Sequence, residues 1–343
     1  MALTPFAQGE EFRDDVRKKL PREALAPLTR LAPIRSTLAV AQTFVLIAAV
    51  AALAVTFWSW WAALAAIVLM APLAHALFIL AHDAAHYRLY ETRWLNDLVG
   101  RVCGTLAGVS MCTYRVIHRL HHNHLYGPQD PDIALHGGYP RGRMYLASKL
   151  AKDLAGLTAW KTYAYFFGAP AVNADTHTAA RPLDDTSPRL REAARRDRWG
   201  VLAFHVAMPA VAFATGWGWY YVVLWVVPLA TVLQAILRLR AICEHGALTD
   251  YASPLTAART NLPNWWQRYL LFPHHVNYHI EHHLYPGGAA PQPAAAASGV
   301  EGSRHSRGRG GPGVERDAAA PFRRARRGAV HGVVVNGADG AGS

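Results

Sequence analysis

Three short runs of histidine stand out in this 343-residue chain. His82-Asp83-Ala84-Ala85-His86 holds two, His118-Arg119-Leu120-His121-His122 holds three, and His279-Ile280-Glu281-His282-His283 holds three more. Residues three or four apart on a helix share a face, so each run aims its imidazoles in one direction. Imidazole is a ligand for iron, zinc, copper and nickel. One HxxxH is weak, because it arises by chance on a helix surface. Three runs together supply eight imidazoles, more than one ion can use, and that points to two metals.

Other chemistries lack their motifs. HExxH is absent, so a zincin protease is not indicated. The Glu-x-x-His pattern of carboxylate-bridged bundles does not dominate either, since Glu244-His245 and Glu281-His282 are adjacent pairs. Asp83, Glu244 and Glu281 could instead orient ring N–H groups of the ligands, with simple solvent exposure the alternative reading for Asp83 and Glu281. Cys103, Cys112 and Cys243 are odd in number, lack CxxC spacing and read as small buried hydrophobes. His75 and His205 lie within apolar runs and read as core histidines bonded to a neighbouring helix. His124, His274 and His275 flank the three runs and read as exposed or supporting residues. The run Asp130-Pro131-Asp132 reads as a turn.

The elements that must bring these residues together are written in the apolar pattern. Apolar residues make up 52% of the chain and charged ones 17%, against roughly 45–50% and about 25% in soluble domains. Runs at about 37–57 and 61–81 are each long enough to cross roughly 30 Å of hydrocarbon as a helix. They are joined by a turn containing Trp58, Trp60 and Trp61. A second hairpin of runs at about 199–215 and 217–237 turns at Gly216-Trp217-Gly218-Trp219-Tyr220-Tyr221. Tryptophan and tyrosine at such turns suit a membrane–water interface, and neither turn carries Lys or Arg. The flanks at 13–35, 88–119 and 236–240 are basic, so the positive-inside rule places both termini and all three runs in the cytoplasm. The expected fold is therefore all-α, with four transmembrane helices in two hairpins and a cytoplasmic helical cap carrying the histidines. Residues 1–35 form a cytoplasmic lead-in without the pattern of a secretory signal, and 36–286 form the membrane domain. The stretch Leu98–Met111 is expected to be re-entrant or interfacial, and 143–170 to lie along the membrane surface. Trp265-Trp266 and Leu270-Leu271-Phe272 read as anchors into the headgroup zone. Arg191–Arg198 reads as a solvated helix face near anionic headgroups. The net charge of +12 fits basic flanks of membrane spans; no interleaved basic and aromatic surface points to nucleic acid.

With the run Asn277-Tyr278-His279-Ile280-Glu281-His282-His283-Leu284-Tyr285-Pro286, the three clusters resemble the integral-membrane fatty acid desaturase superfamily, whose signature is three histidine boxes around four membrane-crossing helices. The resemblance covers about residues 40–286. It implies two iron ions held by His82, His86, His118, His121, His122, His279, His282 and His283, and O2 as co-substrate. Many members add one ligand just after the fourth span, a place matched by His245. The resemblance implies a desaturase acting on an acyl chain of membrane lipid or of a carrier-bound fatty acid, in a multi-pass protein of a bacterial inner membrane. Electrons would come from a separate ferredoxin or cytochrome b5-type donor. The first box has three intervening residues, as in acyl-lipid and carotenoid-modifying branches. A hydroxylase or carotenoid ketolase on the same site is the nearest alternative, and a metal-binding or metal-transport protein is the alternative of another class. The sparse ionisable groups in the spans speak against transport.

After Pro286 the composition changes. Residues 287–343 contain no Leu, Ile, Met, Trp, Tyr or Lys, where similar proteins continue with an apolar helical segment. This stretch reads either as a low-complexity disordered tail or as the product of a shifted reading frame near Gly287.

Overall fold

The computed structural model describes residues 29–126, 130–132, 139, 141–168, 186–246 and 257–286. These residues form helices and connecting turns, with no strand among them. The tail at 287–343 and most of the lead-in lie outside the described residues.

Helix α1 (Pro33–Thr56) and helix α2 (Trp60–Ala85) form the first hairpin. Proline in the first turn of α1 costs no hydrogen bond, and Ser59 caps α2 by accepting from the Ala62 N–H at 3.2 Å. The two helices play different parts. α1 leaves Ile34, Leu38, Val45 and Leu53 exposed, whereas α2 is buried without interruption from Met70 to Ala85. A helix that is apolar all round and walled in by others is a central post, and α2 ends at the first histidine run.

Helix α3 (Arg93–Leu106) packs along α2, and a turn at Gly108 leads into helix α4 (Met111–His124). The segment read as re-entrant is thus the second half of α3 plus this turn. At Gly100 α3 comes close to α2: a Cβ there would lie 2.3 Å from the Ala84 Cβ. Gly100→Leu should therefore destabilise the fold by about 1–3 kcal/mol through overpacking, lowering the thermal midpoint in detergent. An unchanged midpoint would rule out this close approach.

Helices α5 (Arg143–Leu154) and α6 (Ala159–Gly168) follow, then helix α7 (Pro188–Ala214), capped by Ser187. Helix α8 runs over Gly218–His245. It is interrupted by a π turn at Val222–Val226 and a break at Thr231, just past Pro228. Such irregularities are common where proline removes a backbone donor. The aromatic turns of the two hairpins meet, with Trp58 edge-on to Tyr220 at 4.7 Å between centroids.

Among the described residues, α1, α2 and α8 are long and apolar enough to cross a membrane. The expected span at 199–215 falls in α7, which differs from them. Its first three turns carry Arg189, Arg191, Glu192, Arg195, Arg196, Asp197 and Arg198 before it turns apolar at Trp199. Helix α9 (Trp265–Leu271), closed by an Asn264–Gln267 capping box, and the six-residue helix α10 (His279–Leu284) complete the described chain. Trp265 and Trp266 are exposed, as headgroup anchors would be, while Phe272 is buried.

Candidate metal centre

Four elements deliver histidines to one place: the end of α2, the second half of α4, the last residue of α8, and α10. In each, helical spacing sets the pairs. His118 and His122 are four apart on α4 and their Nε2 atoms lie 3.0 Å apart; His279 and His283 are four apart on α10 and theirs lie 3.1 Å apart.

The nine expected histidines come together as two groups with one imidazole between. In the first group, His82, His86, His118 and His282 each offer one ring nitrogen, all within 4.8 Å of one another. The Nε2 of His82 is 3.0 Å from that of His118 and 3.1 Å from that of His282. In the second group, His121, His245, His279 and His283 do the same, with His245 Nε2 2.7 Å from His279 Nε2 and 3.3 Å from His121 and His283 Nε2. His122 bridges them. Its Nε2 is 2.9 Å from that of His282 in the first group, and its ring stacks at 4.3 Å on His283 in the second. His245, which lies outside the three runs, is as central as any box histidine.

Hydrogen bonding alone does not account for this convergence. A neutral imidazole has one N–H and one lone pair, so four Nε2 atoms pointing at a common centre cannot all be satisfied by one another. The buried Nε2 of His86 and Nδ1 of His279 find no hydrogen-bond partner. Burial and the neighbouring imidazoles hold His118, His122, His279 and His282 well below the usual histidine range, so their lone pairs are free. A tetrahedron of nitrogens about 2.1 Å from an ion has edges of about 3.4 Å, close to the separations seen here. Each group could therefore hold one metal ion, and the all-nitrogen donor set fits a transition metal.

The outward-facing nitrogens are anchored. His82 Nδ1 lies 3.0 Å from Asp83 Oδ1, and His118 Nδ1 lies 3.2 Å from the Tyr114 hydroxyl, one turn back on α4. His245 Nδ1 is 3.0 Å from the Ala257 carbonyl. His121 Nδ1 lies 2.9 Å from Asp130 Oδ1. Burial opposes charge on His121, yet Asp130, with Asp132 and Glu244 behind it, overrides this and raises its pKa to about 9. The second group thus attracts positive charge. Such partners fix the tautomer that leaves Nε2 free for metal.

Of the carboxylates that could serve this way, Asp83 does. Glu244 pairs with Arg240 at 2.8 Å and stands 3.7 Å from His279 Nδ1. Glu281 takes the hydroxyl of Thr260 instead. Sequence reading gave no role to Asp130 or Tyr114. Asp130 follows the second run by eight residues in a turn of two acids, and Tyr114 precedes His118 by one helical turn, so both positions were visible; the Ala257 carbonyl left no trace in residue types. His205 bonds the Thr105 carbonyl at 2.7 Å, as a core histidine should. His75 is fully buried, and no hydrogen bond forms at its ring nitrogens. His274 contacts Thr43 and His275 contacts Arg268, both outside the two groups.

A helical protein with apolar helices long enough to cross a membrane and two histidine groups that could each hold a metal ion is the class these features define. Residues 58–297 match the fatty acid desaturase family, and the chain belongs to that family of oxidoreductases. A dihydrorhizobitoxine desaturase of Bradyrhizobium elkanii is 27% identical over 278 residues, covering 78% of this chain and 76% of the relative. An sn-1 acyl-lipid omega-3 desaturase (ferredoxin) of a Nostoc strain is 28% identical over 156 residues, 43% of this chain and 40% of the relative. An acyl-lipid omega-3 desaturase (cytochrome b5) of Arabidopsis thaliana is 31% identical over 127 residues, 35% of this chain and 30% of the relative.

Proposed function

We propose that this chain is a membrane-bound di-iron desaturase that introduces a double bond into an acyl chain of membrane lipid or of a carrier-bound fatty acid. The observation that carries the reading is the pair of buried four-imidazole groups in a chain of this family. His82, His86, His118 and His282 would hold one iron, and His121, His245, His279 and His283 the other, with His122 completing the first. α7 would serve as the fourth span beside α1, α2 and α8, with the histidine centre on the cytoplasmic side of a bacterial inner membrane. The names of the Nostoc and Arabidopsis relatives support a ferredoxin or cytochrome b5-type electron donor.

Iron bound there supplies activation of O2 and the oxidising power to remove hydrogen from an unactivated methylene. Two hydrogens leave the substrate, and with two electrons from the donor and two protons they reduce O2 to two waters. The chain's own contribution is positional. The imidazoles would turn Nε2 toward the metals, His121 after giving up the proton that Asp130 favours on it; Asp83, Tyr114, Asp130 and the Ala257 carbonyl hold the opposite ring nitrogens. The buried second half of α2 and the apolar core under α4 wall the first group on one side, where His82 and His118 are buried while His86 and His282 stay partly exposed.

Expression in a host with a simple fatty acid profile, followed by mass spectrometry of its lipids, tests this. The expected result is an O2-dependent product lighter by two hydrogens. A product that gains oxygen would replace desaturation by hydroxylation or ketolation. The name of the Bradyrhizobium relative contains no acyl lipid, which supports a second reading, desaturation of a dihydrorhizobitoxine-like substrate. An iron-loaded chain that leaves host lipids unchanged and desaturates that compound would establish it.

A further inference from the structure

We propose that the groove between α3 and the first turns of α7 binds the phosphate of an anionic membrane phospholipid. It encloses about 530 Å³ and is lined by Arg101 of α3 and by Arg189, Glu192, Arg196 and Asp197 of α7, with Ala193 and Gly200 leaving space between them. None of these belongs to the histidine centre.

The charges favour an anion. Three guanidiniums line the groove, those of Arg101, Arg189 and Arg196, against two carboxylates, and both carboxylates are already engaged. Asp197 accepts from the Ser110 hydroxyl at 2.6 Å and the Cys112 N–H at 3.2 Å, and pairs with Arg101 at 3.4 Å. Glu192 pairs with Arg195 at 3.1 Å and Arg196 at 2.7 Å. Each guanidinium carries five N–H donors, so the contacts of Arg101 and Arg196 leave donors over, and Arg189 adds its own at the same wall. Arginine forks match phosphate oxygens in planar pairs.

The surroundings favour a lipid over a free phosphate. Trp94, Leu98 and Val102 repeat every four residues along α3 and are all exposed. On α7, Trp199, Leu202 and Val206 are exposed immediately past the arginines. The charged groove thus opens onto apolar strips of both helices, with a tryptophan on each, as an interfacial headgroup site should. A free anion would use the arginines and leave both strips bare.

The test uses the full chain, extracted in mild detergent from membranes with equal phosphatidylglycerol and phosphatidylcholine, with retained lipid counted by mass spectrometry. Phosphatidylglycerol should be enriched about five-fold, the contribution of one basic residue at an anionic surface. The double variant Arg189→Gln/Arg196→Gln should lose that enrichment while keeping the wild-type metal content, which reports an intact fold. Wild-type protein in about 1 M salt, where screening reaches within about 3 Å, should lose it too. Millimolar glycerol 3-phosphate should not displace the retained lipid. Absence of enrichment, enrichment surviving in the double variant or in high salt, or displacement by glycerol 3-phosphate would each overturn the proposal.

Discussion

Purified His245→Ala and His282→Ala proteins should each carry about one iron per chain against the two expected of the wild type, and both should lose product formation by more than about a hundredfold, beyond the range seen for outer-shell changes. The two substitutions empty different groups. His282 closes the first, with its Nε2 3.1 Å from His82, 3.2 Å from His118 and 2.9 Å from His122. His245 is the hub of the second, its Nε2 within 3.3 Å of three other imidazoles. Removing a hub leaves three nitrogens and a gap that water can enter, so occupancy of that group falls while the other persists. Membrane insertion should survive in both, because His282 lies outside the spanning helices and His245 is only the last residue of α8. Metal analysis and Mössbauer spectra on the same samples check this. Two irons retained in either variant would remove that histidine from the ligand set.

Asp130→Ala should weaken metal retention in the second group by about ten- to a hundredfold, with Asp130→Asn recovering part of the loss. The carboxylate is buried, lies 2.9 Å from His121 Nδ1, and accepts the N–H groups of Tyr126 and Asp132, each at 2.9 Å. It therefore holds the ring and the turn at once. Alanine frees the imidazole to carry its proton on either nitrogen and to rotate; asparagine keeps an acceptor oxygen but loses the charge. Titrating the purified variants with a chelator and following metal release separates this role from a purely structural one. If only the turn mattered, asparagine would restore retention fully, and equal retention in all three proteins would exclude the role altogether.

Much of this centre was legible before any coordinates. Periodicity of three and four placed each box on one helical face, and two plus three plus three imidazoles pointed to two metals; the structure gathers them into two groups that could each hold one. The apolar runs located α1 and α2 to within about four residues and the start of α8 to within one, but α8 continues well past the expected end at 237, to His245. α7 was less legible, because its arginine-rich start and apolar end form one continuous helix of 27 residues, and composition by segments divides what the backbone joins. The partition into groups was not readable either. His121 and His122 are neighbours in sequence, yet successive helical residues point about 100° apart, which sends His121 to the second group and His122 to the boundary. Asp130 was read as a turn because turn chemistry and ligand support use the same residue type. The backbone carbonyl of Ala257 carries no residue-type information at all.

The backbone beside each box is also unusual. Tyr87 follows the first box with φ 59°, Tyr126 comes after the second with φ 60°, and His274 and His275 precede the third with φ 52° and 63°. Non-glycine residues occupy that left-handed region at a cost of roughly 1–3 kcal/mol each. Such conformations persist where surrounding contacts over-determine them. Here Tyr87 lies between the guanidiniums of Arg93 and Arg115, each 3.9 Å from its ring.

Helix α10 has a consequence for how the protein matures. Six residues are too few to hold a helix in isolation, and its apolar support is small, with Ile280 and Leu284 against Ala258. Three of its six side chains are imidazoles directed into the two groups. If the two groups take up metal, that uptake and the final docking of this segment would be one event, since ligand binding to a site assembled only in the folded chain is itself folding free energy. A cell starved of metal would accumulate protein whose spans are inserted but whose last latch hangs open to proteases, so its abundance would follow metal supply.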